Sequence, residues 1–384
     1  MANDFPVVLC HGLFGWGPSE VGGFPYWGTA TSVKSPLRRH VASVGPISSV
    51  HDRACELAFQ IKGGRVDYGE THAADAGHDR FGRSYAPDAA FHSEWSEDHP
   101  VHLVGHSMGA PTIWMLQHLL ATDSFGWGSS ANWVKSISAI SGVLNGSTAV
   151  YFLGCNKKTG LVDPDSIVDF LGSAVELNIR LTGDLFDRWY DFDLDHWGLT
   201  SDPVEGLERQ LQNIAATPMF HGKDNAAYGL SIQGLLEQNA MCRTNTDTFY
   251  FSYATEQTFE GFLTGYHYPE PCMNPFAIPT ALYIGKKRFK HEFYPGFRSS
   301  DWWHNDGLVP VYSQLYPRIS GNHSVGGEIG SRSHFRPGEW YYDVLNSDHI
   351  DIVAMPELAK IGEQISFYRK LFERLAELPA GPPQ

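Results

Sequence analysis

The sequence predicts an α/β fold with a mostly parallel central sheet flanked by helices. Three observations predict it. Val101 to Val104 is an apolar run that enters the turn Gly105-His106-Ser107-Met108-Gly109 and leaves through a helical stretch, Pro111 to Leu120. Pro6 to Cys10 is a second apolar run, and it leads into His11-Gly12-Leu13 and a glycine-rich loop. Near the far end, the polar loop Asn346 to Asp351 precedes a long stretch. There Leu358, Ile361, Ile365, Tyr368, Leu371, Phe372 and Leu375 repeat at helical spacing. Short apolar runs alternating with helical periods are the pattern of a parallel sheet.

The totals bound the reading. A chain of 384 residues accommodates one large α/β domain with insertions, or two domains. Hydrophobic residues make up 42% and charged residues 18%, a globular composition rather than a disordered one. The net charge of −15 repels nucleic acid and anionic headgroups, which excludes a polynucleotide substrate. No run of 18 apolar residues is present, so no transmembrane segment is expected. No charged-then-apolar leader opens the chain, and the expectation is a cytoplasmic protein or one whose leader was removed. The five cysteines, Cys10, Cys55, Cys155, Cys242 and Cys272, are scattered and odd in number, against a complete disulfide framework. Cys10 and Cys55 read as buried thiols; Cys155 would pair with another loop cysteine only in a secreted protein.

The elements follow in order. Val7 to Cys10 is a core strand. Tyr26 to Gly28 and Pro36 to Ser43 read as a loop and short helix. Ser49 caps a helix to Gln60, with Ala54, Leu57, Ala58 and Ile61 on one face; Gly63 and Gly64 end it. Val66 to His99 is polar, rich in histidine and too long for an ordinary connection, so it reads as an insertion or a functional loop. Val134 to Ser141 is a strand. Ile167, Phe170, Leu171, Val175 and Leu177 then share a helical face, and aromatics crowd Phe186 to Trp197. That region is either a lid over an apolar pocket or an ordinary packed helix, since periodicity does not say what the face touches. Phe249 to Tyr253 is a buried strand, followed by a proline-rich loop from Tyr268 to Pro279. Pro379, Pro382 and Pro383 end the chain.

The chemistry starts at Ser107. A strand, a Gly-x-Ser-x-Gly turn and a helix make the nucleophile elbow of an α/β-hydrolase fold. The turn is so tight that positions 105 and 109 must lack side chains. It leaves the Ser107 hydroxyl at the tip and the Met108 N–H free for an oxyanion. Leu13, after the His-Gly pair, offers the second N–H. The nucleophile needs a base and the base an orienting acid, in the chain order Ser, Asp or Glu, His. Ser107, Asp306 and His349 satisfy that order. Asp301, Asp343 and Asp348 compete as acids, and His304 and His323 as bases. Separately, Asp52 with His72 and His78 suits a tetrahedral nitrogen and oxygen metal site, against the alternative that histidines in a polar loop are simply solvated.

These motifs together resemble the thermoalkalophilic bacterial lipases, the zinc-containing branch related to staphylococcal lipases. The matches run from Val7 to about Leu375. They include His11-Gly12 with Gly15-Trp16-Gly17, Asp52-Arg53-Ala54-Cys55-Glu56, Val66-Asp67-Tyr68-Gly69 and Gly77-His78. Arg80-Phe81-Gly82-Arg83, Trp197-Gly198-Leu199, His267-Tyr268-Pro269-Glu270, Asn305-Asp306-Gly307 and Asp348-His349 continue the set. The resemblance implies a triad of Ser107, Asp306 and His349 with Leu13 and Met108 as oxyanion donors. It implies a zinc ion on Asp52, His72, His78 and Asp224; the fourth ligand comes from the resemblance alone. Four protein ligands describe a structural zinc rather than a catalytic one. A calcium (Ca2+) site is implied near Cys272, Asp351, Pro356 and Glu357, with Asp351 as its carboxylate and a proline at 356 where the family has aspartate. Gly105 and Met108 stand where the family has alanine and glutamine, and His51 where it has an aromatic residue.

The expected organisation is a single α/β-hydrolase domain over 1–384, with a zinc-binding insertion at 63–99 and a helical lid region at 156–240. The expected activity is a serine carboxylic-ester hydrolase, a lipase acting on triacylglycerols or medium-chain acyl esters through an acyl-enzyme. Its partner is then a lipid or apolar ester, with transient contact at a lipid interface, and the resemblance implies secretion. The alternatives are a broad carboxylesterase or polyester hydrolase, an acyltransferase with the same triad, and, more distantly, a metal-dependent hydrolase.

Overall fold

The computed structural model describes residues 3–167, 170–172, 190–199, 207–321, 323–332, 334–354 and 360–381. Its centre is a seven-stranded sheet. The strands are β1 (Val7–Cys10), β2 (Arg39–Ala42), β5 (Val101–His106), β6 (Val134–Ile140), β7 (Phe249–Glu256), β10 (Val325–Glu328) and β11 (Trp340–Asn346). Their order is β10-β11-β7-β6-β5-β1-β2, and each neighbouring pair is parallel. Two more strands, β3 (Gly64–Asp67) and β4 (Phe81–Tyr85), pair antiparallel outside this sheet. So do β8 (Thr258–Glu260) and β9 (His267–Pro269).

Both faces of the sheet are covered, which is why its inner strands read as continuous apolar runs. Side chains alternate across a strand. Val8, Cys10 and Leu103 enter one core with α1 (Val50–Lys62) and α3 (Gly109–Ala121). Val7, Leu9 and Val104 enter the other core, against Tyr368, Leu371, Phe372 and Leu375 of the C-terminal helix Ile361–Glu377. The Ser49 hydroxyl caps α1 by accepting the Asp52 N–H at 3.1 Å.

Several elements differ from expectation. The stretch expected as a loop and short helix at Pro36 to Ser43 contains the edge strand β2, whose four residues are too few and too polar to announce a period. Residues 66–99 hold β3, the helix α2 (Glu70–Ala76) and β4 rather than only loop. In the candidate lid region, Ile167, Phe170 and Leu171 are buried in the core shared with α1 and α3. Val175, Leu177 and Phe186 lie outside the described residues, as do Pro356, Glu357 and Leu358. Among the described residues the helix Leu207–Ala216 buries only Ile214 fully. All five cysteines are free; Cys10, Cys55, Cys155 and Cys242 are buried and Cys272 is exposed. No described helix is long and apolar enough to cross a membrane.

Candidate active site

The site forms at the carboxyl edge of the sheet, where β5 turns into α3. Ser107 takes φ +55°, a left-handed conformation rare outside glycine. Backbone bonds hold it there: Ser107 N–H donates to Ile140 O at 3.0 Å, and its carbonyl accepts from Ala110 at 3.1 Å and Val143 at 3.2 Å. The need for glycine on both sides is steric. A Cβ at Gly105 would lie 2.4 Å from the Gly109 carbonyl, and one at Gly109 would lie 2.1 Å from Cys10 O.

The loop after β1 packs directly on the serine, for a Cβ at Gly12 would lie 2.7 Å from Ser107 Cβ. Among the described residues the N–H groups of Leu13 and Met108 meet no protein acceptor, unlike Gly12, whose N–H donates to Tyr26 Oη at 2.9 Å. Two groups hold this loop that the sequence reading did not single out as site residues. Buried Arg53 on α1 donates to His11 O, to Gly45 O at 2.7 Å and to Thr112 Oγ1 at 3.1 Å. Tyr26 donates to His106 Nδ1 at 2.6 Å, and His106 Nε2–H donates to His349 O at 3.1 Å. A single chain of hydrogen bonds thus joins the Gly12 amide to the backbone of His349. Burial keeps His106 neutral by pushing its pKa well below the usual value, as the chain requires. In the sequence Arg53 stands out only within the motif Asp52-Arg53-Ala54-Cys55-Glu56 and His106 only within the Gly-x-Ser-x-Gly turn, neither with a role of its own, and Tyr26 gives no sign.

Asp306 and His349 meet as the chain order predicts. His349 Nδ1 lies 2.8 Å from Asp306 Oδ2, and both residues are buried. The same oxygen accepts from Thr255 Oγ1 at 2.8 Å and Gln314 Nε2 at 3.2 Å. Oδ1 accepts the N–H groups of Leu308 at 3.0 Å and Val309 at 2.7 Å. With every lone pair engaged, the carboxylate has one orientation, and it fixes the His349 ring with Nδ1 protonated and Nε2 free. Gly307 takes φ +103° to close this turn, and a Cβ there would lie 2.4 Å from Ala277 Cβ. Ser107 and His349 are joined through His106, whose ring centroid lies 4.7 Å from that of His349. No hydrogen bond runs from Ser107 Oγ to His349 among the described residues; such bonds commonly close only around substrate.

The competing groups are engaged elsewhere. Asp348 accepts the backbone N–H groups of Asn274, Ile350 and Asp351 at 2.7, 2.9 and 2.9 Å. Asp301 pairs with Arg298 at 3.1 Å, His304 with Glu256 at 2.7 Å, and His323 with Thr244 at 2.8 Å. Asp343 lies on β11, opposite Tyr253 in the sheet register.

A second cluster joins α1 to the β3–β4 unit. Asp52, His72, His78 and Asp224 each offer a ligand atom, all within 4.8 Å of one another. His72 Nε2 lies 2.9 Å from Asp52 Oδ1 and 3.3 Å from Asp224 Oδ1. His78 Nε2 and Asp224 Oδ2 are buried without a hydrogen-bond partner although only 3.3 Å apart. Two orphaned atoms aimed at one point, in a set of two imidazoles and two carboxylates, fit a cation. The electrostatics agree. Burial opposes charge on His72, but the hydrogen bonds to Asp224 and Asp52 outweigh it and raise its pKa to about 10. His196 went unnoticed in the sequence; its Nε2 lies 3.3 Å from Asp52 Oδ2 and steadies that carboxylate. Arg83 on β4 holds the segment carrying it, through Asp191 at 2.7 Å and through Asp193 and Asp195. His51 lies outside the ligand set: its Nε2 lies 2.9 Å from Tyr68 O and its ring stacks on His72.

At the expected calcium position Asp351 has a lysine partner. The Lys360 ammonium pairs with Asp351 and donates to Cys272 O at 3.3 Å. A lysine cation therefore meets the Asp351 carboxylate and the Cys272 carbonyl, while Pro356 and Glu357 lie outside the described residues.

Residues 3–377 match the family described as lipase-like, C-terminal domain. Lipase 2 of Staphylococcus aureus is 30% identical over 407 residues, covering 98% of this chain and 55% of its own length. The lipase of Staphylococcus hyicus is 29% identical over 98% of this chain and 58% of its own. The chain thus spans about half the length of the curated relatives it matches. Among solved structures, EstA from Clostridium botulinum superposes with a TM-score of 0.83 at 31% identity, over 98% of this chain and 88% of that one. Lipase 1 from Pelosinus fermentans gives 0.79 at 29%, over 98% and 100%. On sequence over nearly its whole length and on fold, the chain belongs to the lipase-like family.

Proposed function

We propose that this protein is a serine carboxylic-ester hydrolase of the lipase type, with Ser107 as nucleophile, His349 as base and Asp306 as its orienting acid. The observation that carries the reading is the fully satisfied Asp306 carboxylate bonded to His349 Nδ1, beside a serine held at positive φ. His349 Nε2 takes the Ser107 proton as Oγ attacks the ester carbonyl carbon. The oxyanion accepts the N–H groups of Leu13 and Met108. The carbon–oxygen bond breaks, and the alcohol leaves with the proton from His349. Water, deprotonated by His349, then attacks the acyl-enzyme and frees the acid and Ser107. Triacylglycerols or medium-chain acyl esters are the substrates, as the names of the relatives and the apolar content of 156–240 suggest.

Asp52, His72, His78 and Asp224 would hold a zinc ion. Bound there, it supplies a structural cross-link, and no step of the hydrolysis passes through it. Residues 63–99 are then a metal-bearing insertion and 156–240 a cap region.

The test is hydrolysis of a chain-length series of p-nitrophenyl esters by wild type and Ser107→Ala, each with and without a brief chelator treatment. The expected result is an inactive Ser107→Ala and a wild type that keeps its rate after brief chelation. An active Ser107→Ala, or activity that stops at once on chelation, overturns the reading in favour of metal-based hydrolysis. The acyl length at the maximum separates a lipase from a short-chain esterase.

A further inference from the structure

A second group of metal-binding side chains lies at the carboxyl edge of the sheet, and the ester chemistry does not use it. Glu256 ends β7, His267 opens β9, and His304 lies two residues before Asp306. Their ligand atoms all lie within 4.8 Å of one another. His304 Nδ1 is 2.7 Å from Glu256 Oε1, and the His267 and His304 ring centroids are 3.8 Å apart. His267 is buried and its Nδ1 lies 3.4 Å from Thr258 Oγ1, which fixes the ring from the side of the hairpin. The three border an open cavity of about 360 Å³, whose wall adds the carboxylates of Glu260 and Glu270.

Two imidazoles in contact and one carboxylate, drawn from three separate segments, have no structural task that an apolar contact would not do better. As a donor set they are specific. Two nitrogens and one oxygen, with room beside them for water, suit a borderline divalent ion at four or five coordinates. Calcium and magnesium require oxygen ligands throughout and are disfavoured. With no pair more than 4.8 Å apart, the ligand atoms need to shift by no more than about 1.5 Å to reach the spacing of tetrahedral zinc ligands. His304, half-exposed on a loop, is free to make that movement.

We propose that Glu256, His267 and His304 bind a divalent transition-metal ion of the zinc class, at a site separate from the Asp52 cluster. The site also adjoins the triad acid. Thr255, next to Glu256, donates to Asp306 Oδ2 at 2.8 Å, and Gln257 N–H donates to Asn305 O at 3.1 Å. An ion here pins both strands of backbone that hold Asp306. The inference goes beyond the hydrolase reading and does not rest on it.

The test is equilibrium dialysis of the full chain against cobalt(II), with bound metal counted by mass spectrometry and its ligand field read by visible absorption. Wild type, His304→Gln, His267→Gln and Asp224→Asn are compared. The expected result is two cobalt ions on wild type and one on Asp224→Asn, with one of the two bound about tenfold more weakly, or worse, by either histidine variant. Should Asp224→Asn not fold, wild type loaded with one equivalent of zinc, which fills the four-ligand Asp52 site first, and then titrated with cobalt replaces it. The half-exposed His304→Gln variant should melt within about 1 °C of wild type, as exposed substitutions usually do. An Asp224→Asn variant that binds no cobalt at all, or two ions held unchanged by both histidine variants, overturns the proposal.

Discussion

Gly109 is the residue on which the position of Ser107 most depends. It lets α3 start against the backbone of β1, where a methyl group would stand 2.1 Å from Cys10 O. Neither partner is a flexible side chain, so the strand and helix must separate. Gly109→Ala should cost about 1–3 kcal/mol, read as a shift of the urea midpoint, and kcat should fall with it as the oxyanion amides move. Arg53 works at the same scale from beneath. Its guanidinium serves two carbonyls and a hydroxyl with no solvent nearby. Arg53→Met keeps length and apolar volume but leaves those acceptors unpaired, a loss of about 3–5 kcal/mol by denaturant melting. Arg53→Lys should recover only part of it, because one ammonium cannot fork to all three. Ser107, Asp306 and His349 could be picked from the sequence because they follow the chain order of a known chemistry, and Asp306 and His349 do meet at 2.8 Å. Arg53, Tyr26, His106 and His196 were not, since each acts through partners 80 or more positions away or through a backbone carbonyl that no residue type reveals.

At the scale of elements, the Asp52 cluster fastens four pieces: α1, α2, the turn holding His78 and the loop holding Asp224. An ion held at a thousand times its Kd contributes about 4 kcal/mol, which for a chain this long shifts melting by on the order of 5 °C. Slow chelation should lower Tm by that amount, and zinc should restore it; a Tm indifferent to both would mean that the cluster is only an ion-pair network. Calcium should do nothing, because Lys360 already neutralises Asp351. Millimolar calcium should leave the wild-type Tm unchanged, whereas a rise would show that the ion displaces the lysine. The sequence made the long elements plain. α1 and α3 carry full helical periods, and β5 and β6 are buried along their whole length. It hid β2 and β10, which have four residues each at the sheet edges and expose part of every turn of their pattern. β11 was hidden for a related reason: its outer half, Asp343 to Asn346, is only partly buried and shows no alternating apolar pattern.

The whole molecule is closed by a hydrogen-bond network around a buried histidine. His102 on β5 accepts from Ser136 Oγ on β6 at 2.7 Å and donates through Nε2 to Asn3 Oδ1 at 2.9 Å. Asn3 Nδ2 in turn donates to Leu375 O at 2.8 Å and Leu378 O at 2.9 Å, so the chain start, two central strands and the C-terminal helix meet at one imidazole. Burial, reinforced by the charge of Lys135, pushes the His102 pKa down to about 3, and burial does the same for His11. The unfolded chain titrates these groups near the ordinary 6.5. Between the two values it binds the proton that the folded state refuses, so stability rises with pH in that window. The contribution is fully present above about 6.5 and is lost progressively as pH falls toward 3. From pH 7 to pH 5 each such histidine costs about 2 kcal/mol. Burial acts oppositely on Glu20 and Glu56, raising their pKa values, so the net acid slope of the wild type mixes both signs. A difference measurement separates them. His102→Gln retains a donor and an acceptor in the same network but cannot titrate. Its urea-derived stability should therefore fall about 2 kcal/mol less than that of wild type between pH 7 and pH 5. Parallel pH profiles for the two proteins would instead mean that His102 takes up its proton in the folded state, with Asn3 or Ser136 rotating to accept it.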